Sequence, residues 1–511
     1  MSRVVWAVAC IAMPALVSCS RAPDVETATA IRQPPRIDPD YTALVIPPNI
    51  APLNFRILER GRDFLVRLSR EGGETVELHC PDGTCRIPAK SWRRLLGGGR
   101  GGRLWCDIFV QRADGSWGRF ERVVNTVAEE PIDSHIVYRL LLPNKSQARI
   151  KGIYQRDLES FRTSALITLR DGTFDCFNCH AFHQNNPDKF LIHSRVKYPG
   201  MILVADGKVR RINTEQSPMF RPLAFASWHP DGRHIAATCN RFLGYIIANA
   251  DPYYFEAVEK RGDLLVYDVE KNSLSTTRAV FEHQYIETHP CWSPDGQYIY
   301  FARGKDAPLV KPEDLAKFKF DMMRIRCDVE TGQWGSPEMV KAYSELGLSC
   351  AFPRPSPCGK YVLHILSEKT TYPIHQKSSD VYLLDLATKE HRRLDSLCSE
   401  LAESFPRWSS NGRWISFLSN RRDGMSALPY FAYFDREGEA HKAFVLPQRD
   451  PAFYDTFMDT YNVLELVKSR VNISAFRLAQ GIRGPAEEAS FPDPPAVDAY
   501  TGPTKPQGVG Y

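Results

Sequence analysis

The chain has 511 residues, more than one ordinary domain holds, and 65 Lys and Arg against 60 Asp and Glu leave a formal net charge of only +5. That charge is dispersed, and no basic run is interleaved with aromatics, which excludes a nucleic-acid partner.

Arg3 precedes an apolar run from Val4 to Val17. The run is shorter than the ~20 residues that span a bilayer and fits the core of a secretory signal over residues 1–18. Its end, Leu16-Val17-Ser18-Cys19, resembles a bacterial lipoprotein box with Cys19 as the lipid-bearing residue. Ser20 in place of Asp favours the outer membrane, so a lipid-anchored, periplasm-facing chain is expected. Residues 19–42, rich in Pro, Ala and Thr, read as an extended tether.

Residues 43–150 show short alternating runs separated by turn residues, with one helix-like piece near Lys90–Leu96, which predicts a β-sandwich. Cys80 and Cys85 flank Pro81-Asp82-Gly83-Thr84, a turn that a short disulfide would close. The Gly-rich stretch Gly97 to Gly102 lacks the Gly-Lys-Ser/Thr ending of a phosphate loop and reads as a flexible hairpin loop.

Residues 151–185 contain the sharpest motif, Cys176-Phe-Asn-Cys179-His180. Cys-x-x-Cys-His is the spacing at which c-type haem is attached: two thiols form thioethers to one porphyrin and the histidine ligates its iron. With 13 Cys and 13 His, chance supplies roughly 0.01 such motifs. The rivals are a redox pair, half of a zinc site, or a plain loop. No βαβ unit surrounds the pair as a thioredoxin-like site requires, and there is no second Cys-x-x-Cys to complete a zinc site. For the sixth position of the iron, His193 is the leading candidate, with Met201, His229 and an open site as alternatives, and Arg195 is placed to pair with a haem propionate.

From residue 186 to 450 the chain repeats. The units are Ala226-Ser-Trp-His-Pro-Asp-Gly, His289-Pro-Cys-Trp-Ser-Pro-Asp-Gly, Phe352-Pro-Arg-Pro-Ser-Pro-Cys-Gly and Phe405-Pro-Arg-Trp-Ser-Ser-Asn-Gly. Each is a tight turn between antiparallel strands, with Gly232, Gly296, Gly359 and Gly412 as pivots. Cys358 replaces the Asp or Asn of the third turn and should weaken only a cap. With a degenerate unit at 189–212 the pattern predicts a β-propeller of five blades, with six as the alternative. Pro451–Val467 has helical periodicity, so a short helix is expected within 451–484, followed by a disordered, Pro-rich tail over 485–511. The fold class expected is therefore all-β, an N-terminal sandwich followed by a propeller.

These stretches, with Ile46-Pro-Pro-Asn-Ile-Ala-Pro-Leu-Asn-Phe, Gly152-Ile-Tyr-Gln-Arg-Asp-Leu, Phe190-Leu-Ile-His-Ser-Arg and Leu446-Pro-Gln-Arg-Asp-Pro-Ala-Phe-Tyr, resemble bacterial lipoproteins that join a Cys-x-x-Cys-His segment to a TolB-like propeller, common in Bacteroidetes-type genomes. The resemblance covers roughly residues 45–470. It implies a cytochrome-like protein with one haem c at Cys176, Cys179 and His180, acting in electron transfer or redox sensing, with a redox or scaffold protein docked on the propeller. The alternative is a peptide- or protein-binding module in which haem is structural or absent. A lyase or hydrolase is a further alternative. The chain has no Gly-x-Ser-x-Gly elbow, and His229 and His289, at like positions in two repeats, are its one hint of a metal site.

Overall fold

The computed structural model describes residues 25–142, 150–171, 177–195, 197–215, 223–247, 254–282, 284–309 and 311–495. The expected signal, the lipidation site Cys19, the haem-motif residue Cys176 and the end of the tail lie outside the described residues. The described chain is mostly β, with few short helices.

Near the N-terminus, a seven-stranded sheet is built around Arg103–Gln111, which pairs with Asp63–Arg70, Trp117–Arg119 and Val123–Val127. Alternation along Asp63–Arg70 sends Phe64, Val66 and Leu68 into the main core, while Arg67 reaches Glu26 and Glu77 on the other face. The helix Ala89–Gly97 packs Trp92, Leu95 and Leu96 into the same core, the spacing of one helical stripe. The sulfurs of Cys80 and Cys85 lie 2.7 Å apart in this core as buried thiols in contact. The core is continuous with the last two sheets of the chain, and Asp133 ties the two regions by accepting from Ser410 N and Oγ at 2.8 and 2.6 Å.

The rest of the chain forms six antiparallel sheets, each with a four-strand meander. Their first strands in the chain are His135–Leu141, Phe177–Phe182, Ala224–Trp228, Tyr285–Trp292, Ser349–Pro355 and Glu403–Trp408. In the last five sheets the first strand is also the innermost. In the first sheet the innermost strand is Thr460–Val467, which pairs with His135–Leu141 from the far end of the chain. The innermost strands pack on one another in cyclic order, and Thr460–Val467 touches both Phe177–Phe182 and Glu403–Trp408. The sheets thus stand as blades around an axis, and a strand from near one end of the chain closes the ring.

The repeat turns have the expected chemistry. Gly232, Gly296, Gly359 and Gly412 take φ of 70, 72, 71 and 67°. Asp231, Asp295 and Asn411 accept the N–H two residues on, at 2.7, 3.0 and 3.0 Å. The third turn lacks that cap at Cys358 but keeps the serine bond of its counterparts, Tyr361 N to Ser356 Oγ at 3.1 Å.

Three expectations are corrected. The four-strand meanders number six, the alternative to the five expected first, because the first is assembled from distant segments, 135–168 and 460–467, and leaves no consecutive repeat to read. Residues 135–168, assigned from sequence to the sandwich and the haem segment, supply its other three strands. The periodic segment 451–467 is helical only over Phe453–Thr456; the remainder is the closing strand, where β-branched and aromatic residues pair more favourably than they coil. A helix does follow, Ala475–Arg483, started by Ser474 accepting from Arg477 N at 3.3 Å. Within the expected tail, residues 485–495 are described, and Ala486–Glu488 adds a parallel edge to the second sheet.

Candidate axial binding site

One irregularity recurs in all six innermost strands. The ladder slips by one residue after Phe177, Ala224, Thr288, Ala351, Ser404 and Asn462, so two residues oppose one at each place. The first bulge residue is left-handed at Phe225, His289, Phe352, Phe405 and Val463, with φ of 49, 54, 52, 49 and 45°. Bulky residues rarely adopt this conformation, and the strain persists because packing over-determines it. Four of these side chains form an aromatic cluster across neighbouring sheets: Phe225–His289 at 4.5 Å, His289–Phe352 at 4.0 Å and Phe352–Phe405 at 4.8 Å between ring centres. Phe242, from the long hairpin of the third sheet, and Tyr372 complete the cluster at 5.8 Å from one another.

In five of the six sheets the residue that follows the bulge is Ser227, Cys291, Arg354, Arg407 or Glu465, and these five line a cavity of 430 Å³ at one mouth of the ring. Trp228, Trp292 and Trp408, one position further along, line it too. Arg407 is paired with Glu465 at 2.9 Å, and Glu465 also accepts the N–H of Phe182 at 3.0 Å. Burial raises the Glu465 carboxyl, with Arg407 opposing. Burial, with Arg407 adding repulsion, pushes Arg354 down to about 10.

On the other side of the cluster, His234–Ile247 and Tyr254–Asp268 form a hairpin that reaches the fifth sheet, where Glu259 accepts from Thr371 at 2.9 Å, Thr288 at 2.7 Å and Asn240 at 2.7 Å. Burial raises this carboxyl to about 7 against those bonds.

The haem-motif residues lie in this same frame. Cys179 is the second bulge residue of Phe177–Phe182, and His180 follows it, at the register of Arg354 and Arg407. Both are buried. His180 pairs across the ladder with Ile192 and faces the first sheet, against Val137 and Phe182. Its ring lies toward the Val137 backbone carbonyl without a well-formed hydrogen bond among the described residues, and burial holds it neutral, lowered to about 3 against that contact. His193 pairs with Met201 on the opposite face of the sheet, toward the third. His193 and Met201 therefore cannot share an iron with His180, which corrects both expectations. Arg195 lies over the ring of Phe242 at 5.9 Å.

His180 suits an axial ligand, being neutral and held by no more than a weak contact with the Val137 carbonyl. Cys179, however, is turned to the Phe225 backbone in the third sheet, the side away from His180. A porphyrin bonded to Cys179 and ligated by His180 does not fit this strand as it stands. The expected pairing of His229 with His289 is corrected, although His229, Asp231 and His234 bring ligand atoms within 4.8 Å of one another. His229 is in a turn, bonded to Asp231 at 2.9 Å and to the Gly296 carbonyl at 3.1 Å, whereas His289 is a bulge residue, so their positions are not alike.

Sequence reasoning missed Arg354, Arg407, Glu465 and Trp292 as a group. The signal was present in part, since Phe-Pro-Arg recurs at 352–354 and 405–407 inside the repeats.

No family model matches the chain, and no curated protein matches it. Among solved structures it is similar to the tricorn protease, at 10% identity and TM-score 0.35 over 68% of this chain and 33% of that one. It is also similar to a hypothetical selenium-binding protein from Sulfolobus tokodaii, at 8% identity and TM-score 0.40 over 85% and 97%. An oligogalacturonate lyase in complex with manganese follows at 10% identity and TM-score 0.30 over 60% and 92%. The chain spans a third of the tricorn protease's length. The general likeness is to β-propeller proteins, and it concerns the fold alone; the assignment rests on the chain's own sheets.

Proposed function

We propose that the chain is a six-bladed, TolB-like propeller acting as a binding module, which takes a ligand or the end of a partner's chain into the axial funnel. The observation that carries this reading is the convergence of side chains from five sheets on one 430 Å³ cavity. A concave, aromatic-walled site with a few placed polar groups is what small ligands and peptide ends require. The N-terminal sheet region stiffens one side of the ring through the shared core. In this reading a lipid at Cys19 holds the module at the periplasmic face of the outer membrane. The test is a titration of the indole N–H signals by nuclear magnetic resonance with a panel of short peptides and small acids, amines and neutral compounds. Binding in the funnel moves Trp228, Trp292 and Trp408 and leaves Trp117 and Trp334 in place. A panel that moves none of the three counts against the reading.

A second reading, a cytochrome-like redox protein with haem c on Cys176 and Cys179 and its iron on His180, is favoured by the buried, neutral imidazole of His180. It requires residues 177–180 to leave the ladder so that thiol and imidazole reach one porphyrin. Expression with the haem c maturation machinery should then give a chain that retains haem after denaturing electrophoresis, and Cys179→Ser should abolish that retention. A haem-free product with intact thiols sinks it.

A further inference from the structure

The funnel carries a charge that its own residues leave uncompensated. Arg407 has Glu465, but Arg354 has no such partner. It is 9% exposed, donates from one terminal nitrogen to the carbonyl of its neighbour Pro353 at 3.1 Å, meets the Cys291 side chain, and leaves Nε without an acceptor among the described residues. The carboxylate whose field reaches it is that of Glu465, already bonded to Arg407. A buried guanidinium in this state is costly unless an anion completes it.

A second donor at the same cavity is also unsatisfied. Trp228, Trp292 and Trp408 occupy one register in three sheets. The indole N–H of Trp228 donates to the Ala181 carbonyl at 3.0 Å, and that of Trp408 to the Arg354 carbonyl at 2.9 Å. Trp292 breaks the pattern: it is 5% exposed and its Nε1 has no acceptor among the described residues. An unfilled buried N–H is destabilising, and both of these belong to side chains that line the one cavity. The walls between them, Trp228, Trp408, Pro294 and Pro355, are apolar.

We propose that the funnel is an oxyanion site, taking a carboxylate or phosphate borne on an apolar body, with Arg354 as its charge partner and Trp292 as a second donor. This rests on the funnel reading above and adds the chemistry of the ligand. Arg354 supplies charge-assisted N–H bonds, the indole adds one directional N–H, and the tryptophan and proline walls take the apolar part. Arg407 stays with Glu465 and positions that carboxylate away from the incoming anion.

The experiment uses the whole chain and three probes: inorganic phosphate, N-acetyl-leucine and N-acetyl-leucinamide. The readout is the indole N–H shift of Trp292, assigned with Trp292→Phe. At least one of the two anions is expected to move it, with the neutral amide weaker by about tenfold or more; the tighter anion identifies the source as phosphate or carboxylate. Arg354→Met is expected to lose about tenfold or more in affinity, Arg354→Lys to retain part of it, and the ligand-free Met variant to melt no lower than the parent. Trp292→Phe, which keeps the ring, provides a second test if the Met variant fails to fold; it should weaken anion binding severalfold by fluorescence of the remaining tryptophans. Amide and acid binding equally well would overturn the oxyanion assignment while leaving the funnel reading standing. An absence of any shift with either anion would overturn the assignment too, and a neutral peptide that still moved Trp228 and Trp408 would separate the two failures.

Discussion

Buried imidazoles are unusually numerous in this ring. His180, His193, His289 and His364 are all sealed from water, and desolvation lowers each of them, His180 and His364 to about 3. An unfolded histidine takes up its proton near 6.5 while the folded one does not. As the pH falls below that point the unfolded state binds more protons, so the contribution of each is complete above 6.5 and is lost toward 3. Glu259 has the opposite sign: its raised carboxyl favours the fold at low pH and loses that contribution as the pH climbs through about 7. Variant differences isolate one group from the rest. His364→Leu is expected to gain on the parent by about 1.4 kcal/mol per pH unit below 6.5, measured by urea unfolding at a series of pH values. A difference constant in pH would refute the burial argument. His180→Leu in the haem-free chain should cost no more than about 1 kcal/mol, because only a weak contact with the Val137 carbonyl is lost; a larger loss would mean that this contact is a full hydrogen bond.

The six bulges do more than bend strands. Five of them turn the next residue into the funnel, while the sixth is followed by the buried His180, and so they convert a ring of ladders into a ring of side chains. The second bulge position is Pro290, Pro353 and Pro406 in three sheets, Ala226, Leu464 and Cys179 in the others. Proline is accepted there because the bulge has already withdrawn that position from regular pairing. Ala226→Pro should therefore shift stability by no more than about 1 kcal/mol in either direction. Ile202→Pro, in the middle of a strand paired on both sides, should lose about 3 kcal/mol or more. Equal losses in urea unfolding would mean that the Ala226 N–H is needed in the ladder. The repeats themselves were legible because Pro-Asp-Gly is a turn whose chemistry is local. The strain was not, since it falls on Phe225, Phe352 and Phe405, residues with no preference for left-handed backbone, and is imposed by contacts between sheets. The same limit explains the misread helix. Phe453, Phe457 and Tyr461 do stack, at 5.0 and 5.4 Å, which is the spacing that signalled a helix, but the chain between them unwinds to pair with His135–Leu141.

Ring closure is the property least visible in any local window and the one on which the whole molecule depends. His135 pairs with Val467 and Leu141 with Thr460, so the first sheet exists only when the two ends of the ring have met. The strand Thr460–Val467 is buried along nearly its whole length, with Val463, Leu464, Leu466 and Val467 at 4% exposure or less, and it carries Glu465 into the funnel. Burying four such side chains stabilises by roughly 6–12 kcal/mol on transfer values, comparable to the whole net stability of a typical domain. Without it, Phe177–Phe182 and Glu403–Trp408 lose the neighbour between them, and His135–Leu141 becomes an open edge. A chain ending at Asp459 is therefore expected to lose cooperative unfolding altogether, not merely to melt lower. It should also associate through the open edge, seen as a concentration-dependent mass in light scattering. A synthetic peptide of residues 460–495 added to that chain should restore a single transition, because every contact it makes is non-covalent. If instead the truncated chain stayed monomeric with an unchanged midpoint, the first sheet would be stable on its own strands, and the account of a ring closed from its two ends would have to be abandoned.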